Sequence, residues 1–279
     1  MGGKFSARSF FEAKEKNEKI AMLTAYDYSM AQIIDTAGID AILVGDSLGM
    51  VIQGRPTTLE VTMDAMVYHC QCVSRGVRNT MLIGDLPFLS YHISTEDAIR
   101  NAGRLIKEGG VEAVKLEGGK GMAQTVKAIV KAQIPVMGHI GMTPQSVNIL
   151  GGFRAQGKDE EKAKAIFEDA KALEEAGVFG IVLEAIPEEV ARIITEKVNV
   201  ATISIGAGRY CDGQILVIND MIGMYAGFTA KYVKQYANLK NNISEAVTSY
   251  IQEVKQQQYP EKCHTYSAGD LKLDQLSDL

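Results

Sequence analysis

Five apolar runs of this chain end on a charged or ionisable side chain: AILVGD at Asp46, MLIGD at Asp85, AVKLE at Lys115 and Glu117, PVMGH at His139 and IVLE at Glu184. If such runs are parallel strands, their carboxyl ends share one rim, and residues far apart in sequence meet there. Clustered carboxylates of this kind suit a hard divalent cation. Asp46, Asp85 and Glu117 with water could complete the oxygen-rich octahedral shell that Mg²⁺ prefers, whereas zinc usually recruits His or Cys.

Each of these residues also has a plainer reading. Asp46, followed by Ser47 and Gly49, could simply cap a helix. Asp85 shares that ambiguity, although Pro87 and Phe88 in GDLPF disfavour an immediate helix start. Lys115 and Glu117 project to one side of a strand, where they could form a structural ion pair or, beside two aspartates, leave the lysine to hold an anionic substrate. Glu184 is followed by Ala185, Ile186 and Pro187, an environment whose desolvation would make it a better general base, unless backbone donors of the next helix satisfy it. Glu188 and Glu189 read as that helix's solvated first turn. His139 precedes the glycine-rich segment GMTPQSVNILGGFRAQG, long enough to be a lid, and could hydrogen-bond an anionic substrate or merely pack.

The elements that would position these groups can be marked at Ile20–Ala25, Ala41–Gly45, Met81–Asp85, Ala113–Glu117, Pro135–Ile140, Gly180–Glu184, Ala201–Ile205 and Gln214–Ile218. All are short and continuously apolar, as strands covered on both faces are. Helical periodicity lies between most of them, most clearly over Asp159–Glu175, where Ala163, Ile166, Phe167, Ala170 and Leu173 repeat at three- and four-residue steps before Gly177. Strand alternating with helix eight times predicts an α/β fold, a (β/α)8 TIM barrel, with a doubly wound open sheet as the rival. Only Arg209–Gly213 separates the last two strands, too little for a covering helix. A further helix is expected over Ile243–Gln258, then a polar tail from about residue 260 whose composition would allow disorder. Nothing marks a domain boundary, so residues 1–279 are expected to form one domain.

Composition narrows the partners. A net charge of -5 and the lack of a basic run argue against nucleic acid. Cys70, Cys72, Cys211 and Cys263 are too scattered for a disulfide framework and fit reduced thiols, and His69, Cys70 and Cys72 fall on a helix where neighbours two apart diverge, which disfavours a metal site. The N-terminus lacks a signal-peptide core, no run reaches membrane-spanning length, and the Gly2/Ser6 myristoylation pattern reads as coincidence, so a soluble cytoplasmic protein is expected. Gly206-Ala207-Gly208 invites a dinucleotide reading, but Cys211 stands at the third glycine position and no sizeable helix follows; neither a Gly-x-Ser-x-Gly elbow nor a Walker lysine is present.

TAYDYSMA (Thr24–Ala31), VGDSLGMVIQG (Val44–Gly54), GDLPF (Gly84–Phe88), VKLEGG (Val114–Gly119), GHIGMTPQSVNILGG (Gly138–Gly152) and IGAGRYCDGQILV (Ile205–Val217) follow one another in order. From about Lys19 to Pro260 the chain resembles the ketopantoate hydroxymethyltransferase family. The resemblance implies a barrel of the phosphoenolpyruvate/pyruvate type and hydroxymethyl transfer from 5,10-methylenetetrahydrofolate to 3-methyl-2-oxobutanoate, giving 2-dehydropantoate for pantothenate and coenzyme A synthesis. It further implies Mg²⁺, acting as a Lewis acid while an enolate forms, associated with Asp46, Asp85 and Glu117. Asp46, Ser47, Asp85 and Lys115, with His139, would bind substrate, and Glu184 would accept the proton. Partners would be the 2-oxo acid and folate, with neither nucleic acid nor membrane, in a homo-oligomer, a decamer by resemblance. The family commonly carries Cys after the glutamate, where Ala185 stands here. The rival readings are a Mg²⁺-dependent lyase or mutase of the phosphoenolpyruvate/pyruvate type, a Schiff-base aldolase using Lys115, and a non-catalytic scaffold.

Overall fold

The computed structural model describes residues 4–224, 227 and 230–269. Its eight strands, β1 (Ile20–Thr24), β2 (Ala41–Val44), β3 (Met81–Asp85), β4 (Ala113–Glu117), β5 (Val136–Gly141), β6 (Gly180–Glu184), β7 (Ala201–Ile205) and β8 (Gly213–Leu216), form a closed barrel in chain order. Every pairing is parallel, and closure comes from β1 against β8 with Met22 opposite Ile215, so the open-sheet alternative is excluded. The helices are α1 (Ala7–Lys16), α2 (Tyr28–Thr36), α3 (Leu48–Val51), α4 (Met63–Gly76), α5 (Thr95–Lys107), α6 (Ala123–Lys131), α7 (Val147–Leu150), α8 (Glu160–Ala176), α9 (Glu188–Lys197), α10 (Ile218–Met221) and α11 (Leu239–Lys255).

Strand alternation sorts the apolar residues into two cores. Ile42, Val44, Leu82, Val114, Leu116, Ile181 and Leu183 point outward and pack with helix residues such as Ile34, Met66, Leu105, Ile129 and Leu173. Met22, Leu43, Met81, Ile83, Met137, Val182, Ile203 and Ile215 fill the barrel interior. The same two-residue step carries the inward series Met81-Ile83-Asp85, Ala113-Lys115-Glu117 and Met137-His139 from apolar to ionisable as each strand runs to its carboxyl end. At the opposite end α1 acts as a plug: fully buried Phe10 meets Phe179 edge-on at 5.0 Å, and Lys14 Nζ lies 2.7 Å from Asp212 Oδ2.

Local chemistry explains most element ends. Asp159 caps α8 by accepting from the Lys162 amide, and Gly177 ends it in the left-handed region. β8 starts one residue earlier than expected and stops at Leu216, because Ile218 turns into α10, its amide donating to Thr24 Oγ1 at 3.0 Å. As expected, no helix separates β7 from β8. The last helix is displaced from its expected span to Leu239–Lys255; its C-terminal turn unwinds where Gln257 adopts φ 58°. The segment after His139 is more regular than its composition suggests, with a 3₁₀ turn at Pro144–Ser146 running into α7. Residues 270–279, the end of the polar tail, lie outside the described residues.

Candidate active site at the carboxyl rim

Lys115 and Glu117 occupy alternate positions of β4, and the parallel register sets Asp85 of β3 beside Lys115 and His139 of β5 beside Glu117. Lys115 Nζ lies 2.8 Å from Asp85 Oδ1, 4.0 Å from Glu117 Oε1 and 3.5 Å from His139 Nδ1. The imidazole bridges two acids, with Nδ1 3.3 Å from Glu117 Oε1 and Nε2 3.1 Å from Glu184 Oε2. Asp46 stands two residues beyond β2, where its amide donates to Asp85 Oδ2 at 3.3 Å. Asp46, Asp85, Lys115, Glu117, His139 and Glu184 are each 7% exposed or less. All of them, with Ser47, line one cavity of about 370 Å³ at the mouth of the barrel. A roomier depression along Gln53–Ala65 contains only the Arg55–Glu60 pair and no ionisable cluster.

Two plainer readings fall away here. Asp46 caps no helix, its Oδ2 accepting instead from Gln145 Nε2 at 2.8 Å. Glu184 contacts His139 rather than the amides of α9, whose first residue, Glu188, accepts from Arg209 Nε. His69 is separate from the site, its Nδ1 2.7 Å from the Tyr26 carbonyl, while neighbouring Cys70 is buried and Cys72 half-buried.

Negative charge predominates in the cluster. Four buried carboxylates surround two basic groups, an imbalance of sign that burial makes costly. Burial and the charges of Asp85 and Glu117 push the Asp46 carboxyl well above the ordinary range, against the opposing pull of Lys115 and Gln145. Burial likewise raises Asp85, although Lys115 offsets part of the shift. Burial and Lys115 would keep His139 neutral, but its contacts with Glu117 and Glu184 outweigh them and push its pKa up to about 9. Burial also favours a neutral Lys115, yet Asp85, Glu117 and Asp46 together hold its ammonium protonated.

The donor set fits a hard dication. Asp85 Oδ1 and Glu117 Oε1 are buried without an aligned hydrogen-bond donor; the 2.8 Å approach of Lys115 to Asp85 Oδ1 is an ion pair lacking hydrogen-bond alignment. Among the described residues no three His, Cys, Asp or Glu side chains form a ready-made metal cage. Mg²⁺ does not demand one, since it keeps several waters and commonly binds through one or two carboxylates plus substrate oxygens.

Sequence reasoning did not single out the residues that hold the acids in place. Gln145 donates from its backbone to Glu117 Oε2 at 3.0 Å and from Nε2 to Asp46 Oδ2 and to the Leu86 carbonyl, while its Oε1 accepts from Tyr91 at 2.7 Å. The Tyr91 hydroxyl in turn accepts from the Glu117 amide, and Tyr26 pairs with Ser47 at 2.7 Å. Gln145 and Tyr26 fall inside motifs quoted above, but no local period signals a contact spanning 99 residues. Gly141, at φ 98°, allows β5 to pass β6 closely; a Cβ there would lie 2.3 Å from the Glu184 carbonyl oxygen.

The family model for ketopantoate hydroxymethyltransferase matches residues 4–262. A 3-methyl-2-oxobutanoate hydroxymethyltransferase of Clostridium beijerinckii is 58% identical over 96% of this chain and 98% of its own length. The chain belongs to the ketopantoate hydroxymethyltransferase family. A relative of the same name from Syntrophomonas wolfei is also 58% identical, over 95% of this chain and 96% of its own. The fold extends beyond the ketopantoate hydroxymethyltransferases. 2,3-Dimethylmalate lyase, of the PEP mutase/isocitrate lyase superfamily, matches at TM-score 0.58 and 16% identity over 98% of this chain and 93% of its own. A phosphonopyruvate hydrolase in complex with oxalate and Mg²⁺ matches at TM-score 0.60 and 11% identity over 98% and 95%. These structures share the expected eight-stranded parallel barrel fold.

Proposed function

We infer that the chain transfers a hydroxymethyl group from 5,10-methylenetetrahydrofolate to 3-methyl-2-oxobutanoate, giving 2-dehydropantoate in the pantothenate pathway. Family membership supports the reaction class. The observation that carries the site assignment is the convergence of Asp46, Asp85, Glu117, Lys115 and Glu184 on one buried cavity.

Asp46, Asp85 and Glu117 would hold Mg²⁺, which when bound supplies a Lewis acid for the substrate's carboxylate and keto oxygens. Lys115, kept cationic by its three carboxylate neighbours, and Ser47 bind the substrate carboxylate. That same protonation disfavours the Schiff-base reading, which needs a free amine. Glu184 accepts the proton from C3, and His139, in contact with one of its oxygens, fixes its orientation. The enolate carbon takes up the folate one-carbon unit, both carbon–nitrogen bonds to the folate break, and water supplies the hydroxyl of the product. The proton held by Glu184, with one from water, goes to the two nitrogens of the departing tetrahydrofolate. Phe153, Arg154 and Ala155 of the loop after β5 line the cavity, consistent with a lid that limits water at the earlier step.

No helix among the described residues is long and apolar enough to cross a membrane. The homo-oligomer proposed for the chain finds support in α11, which buries no residue and carries Ile243, Val247, Tyr250, Ile251 and Val254 exposed along one stripe.

The deciding experiment measures 2-dehydropantoate formation with and without a Mg²⁺ chelator and with and without the folate. Product should require both the metal and the folate. Conversion of the 2-oxo acid without folate would favour the lyase or mutase reading.

A further inference from the structure

The cavity has two chemically different halves. Its ionic half is built from β2 to β6, as described above. The other half lies across the mouth, where Thr24 ends β1, Ile205 ends β7, and Ile215 and Val217 lead out of β8. Tyr232 closes its wall so tightly over Gly206 that a methyl group there would come within 2.5 Å of the ring. Among the described residues, this mostly apolar half holds one carboxylate, Asp220. It sits on α10, which is anchored by the Ile218 amide on Thr24 and, behind it, by the Tyr236 amide on the Met221 carbonyl at 2.8 Å.

Asp220 is anomalous. Among the described residues its side chain has no ion-pair or hydrogen-bond partner, and burial alone raises its carboxyl pKa. Half-burying an unpaired carboxylate against apolar walls costs free energy that a ligand with matching donors would recover. The substrate carboxylate cannot be that ligand, because like charges repel. The required ligand is flat enough to lie between apolar faces and carries two adjacent N–H donors on one edge, the arrangement that pairs with both oxygens of a carboxylate.

We propose that this half binds the 2-amino-4-oxo bicyclic ring of the folate co-substrate, with Asp220 accepting from ring N3–H and the 2-amino group while Ile205, Ile215, Val217 and Tyr232 cover the ring's faces. The proposal rests on the function inferred above. It gives the ring-binding end to one side of the mouth and the 2-oxo acid to the other, so the one-carbon unit lies between them, on the side of Glu184.

The test compares the parent protein with Asp220→Asn in two measurements: calorimetric affinity for tetrahydrofolate, and Mg²⁺-dependent exchange of the C3 proton of 3-methyl-2-oxobutanoate without folate. Asp220→Asn should weaken tetrahydrofolate by about 10- to 100-fold, as expected for losing a paired charged acceptor. That loss should exceed any loss in proton exchange by at least about tenfold. The parent should also prefer tetrahydrofolate over its 2-desamino analogue, and the variant should lose that preference. Unchanged tetrahydrofolate affinity overturns the proposal, as does a parallel fall in exchange, which would place Asp220 with the 2-oxo acid. Should Asp220→Asn not fold, Val217→Phe fills the same half and should exclude tetrahydrofolate; retained binding there overturns the proposal. A parent that neither exchanges the proton nor binds tetrahydrofolate would instead overturn the functional reading on which it rests.

Discussion

Glu184 and Gln145 show the two ways in which one side chain serves this site. In the proposed reaction Glu184 takes the C3 proton, so Glu184→Gln should leave 2-oxo acid binding intact while C3 proton exchange, followed by proton NMR in D2O, falls by about 10²- to 10⁴-fold. Exchange at the parental rate would remove Glu184 as the base. Gln145 acts through other residues, its amide and backbone tying Asp46, Glu117 and Tyr91 together. Gln145→Ala leaves every carboxylate present and keeps the residue 145 amide on Glu117, but removes the side-chain donor to Asp46 and the acceptor for Tyr91. By analogy with residues that orient metal ligands, Mg²⁺ affinity measured by titration calorimetry should fall about 10- to 100-fold, with the melting temperature little changed. An unchanged Mg²⁺ affinity would make Gln145 a packing residue only.

The elements hold these side chains by polar ties at the barrel's other end as well as by packing. Asp35, 7% exposed at the end of α2, accepts from the Asn79 and Thr80 amides, both at 2.9 Å, and so joins α2 to the entry of β3. Burial disfavours its charged form, but these hydrogen bonds win and hold its pKa below the usual aspartate value. Because the folded pKa is the lower one, the contribution is complete above the unfolded aspartate pKa of about 3.9 and is lost as pH falls through the folded value. Urea unfolding of Asp35→Asn should show a cost of about 1–3 kcal/mol at neutral pH that shrinks in acid. A cost independent of pH would mean that the charge has no part in it.

The molecule as a whole separates stability from chemistry along the barrel axis. Phe10 lies at the end remote from the acids, buried among Phe5, Phe179 and the inner core. Phe10→Ala should cost about 3–5 kcal/mol in chemical denaturation while the folded enzyme keeps its turnover. A matching loss of turnover would show that the two ends are coupled. Assembly belongs to this scale too. The parent should sediment as an oligomer, and placing Asp at both Val247 and Ile251 of α11 should dissociate it; a parent that sediments as a monomer ends the idea.

The barrel and most of its chemistry were legible in the linear chain because local rules govern them. Continuous apolar runs specify strands buried on both faces, and the two-residue step places Asp85, Lys115, Glu117 and His139 inside at their carboxyl ends. Boundaries were less legible where neighbours override propensity, as in β8, which yields to α10 under the pull of Thr24, and in α11. The proton balance of His139, the bracing by Gln145 and Tyr91, and the half-buried Asp220 in the cavity wall were not legible at all. They depend on distances between residues far apart in sequence and on how deeply each is buried. A one-dimensional pattern holds neither quantity; barrel closure sets both.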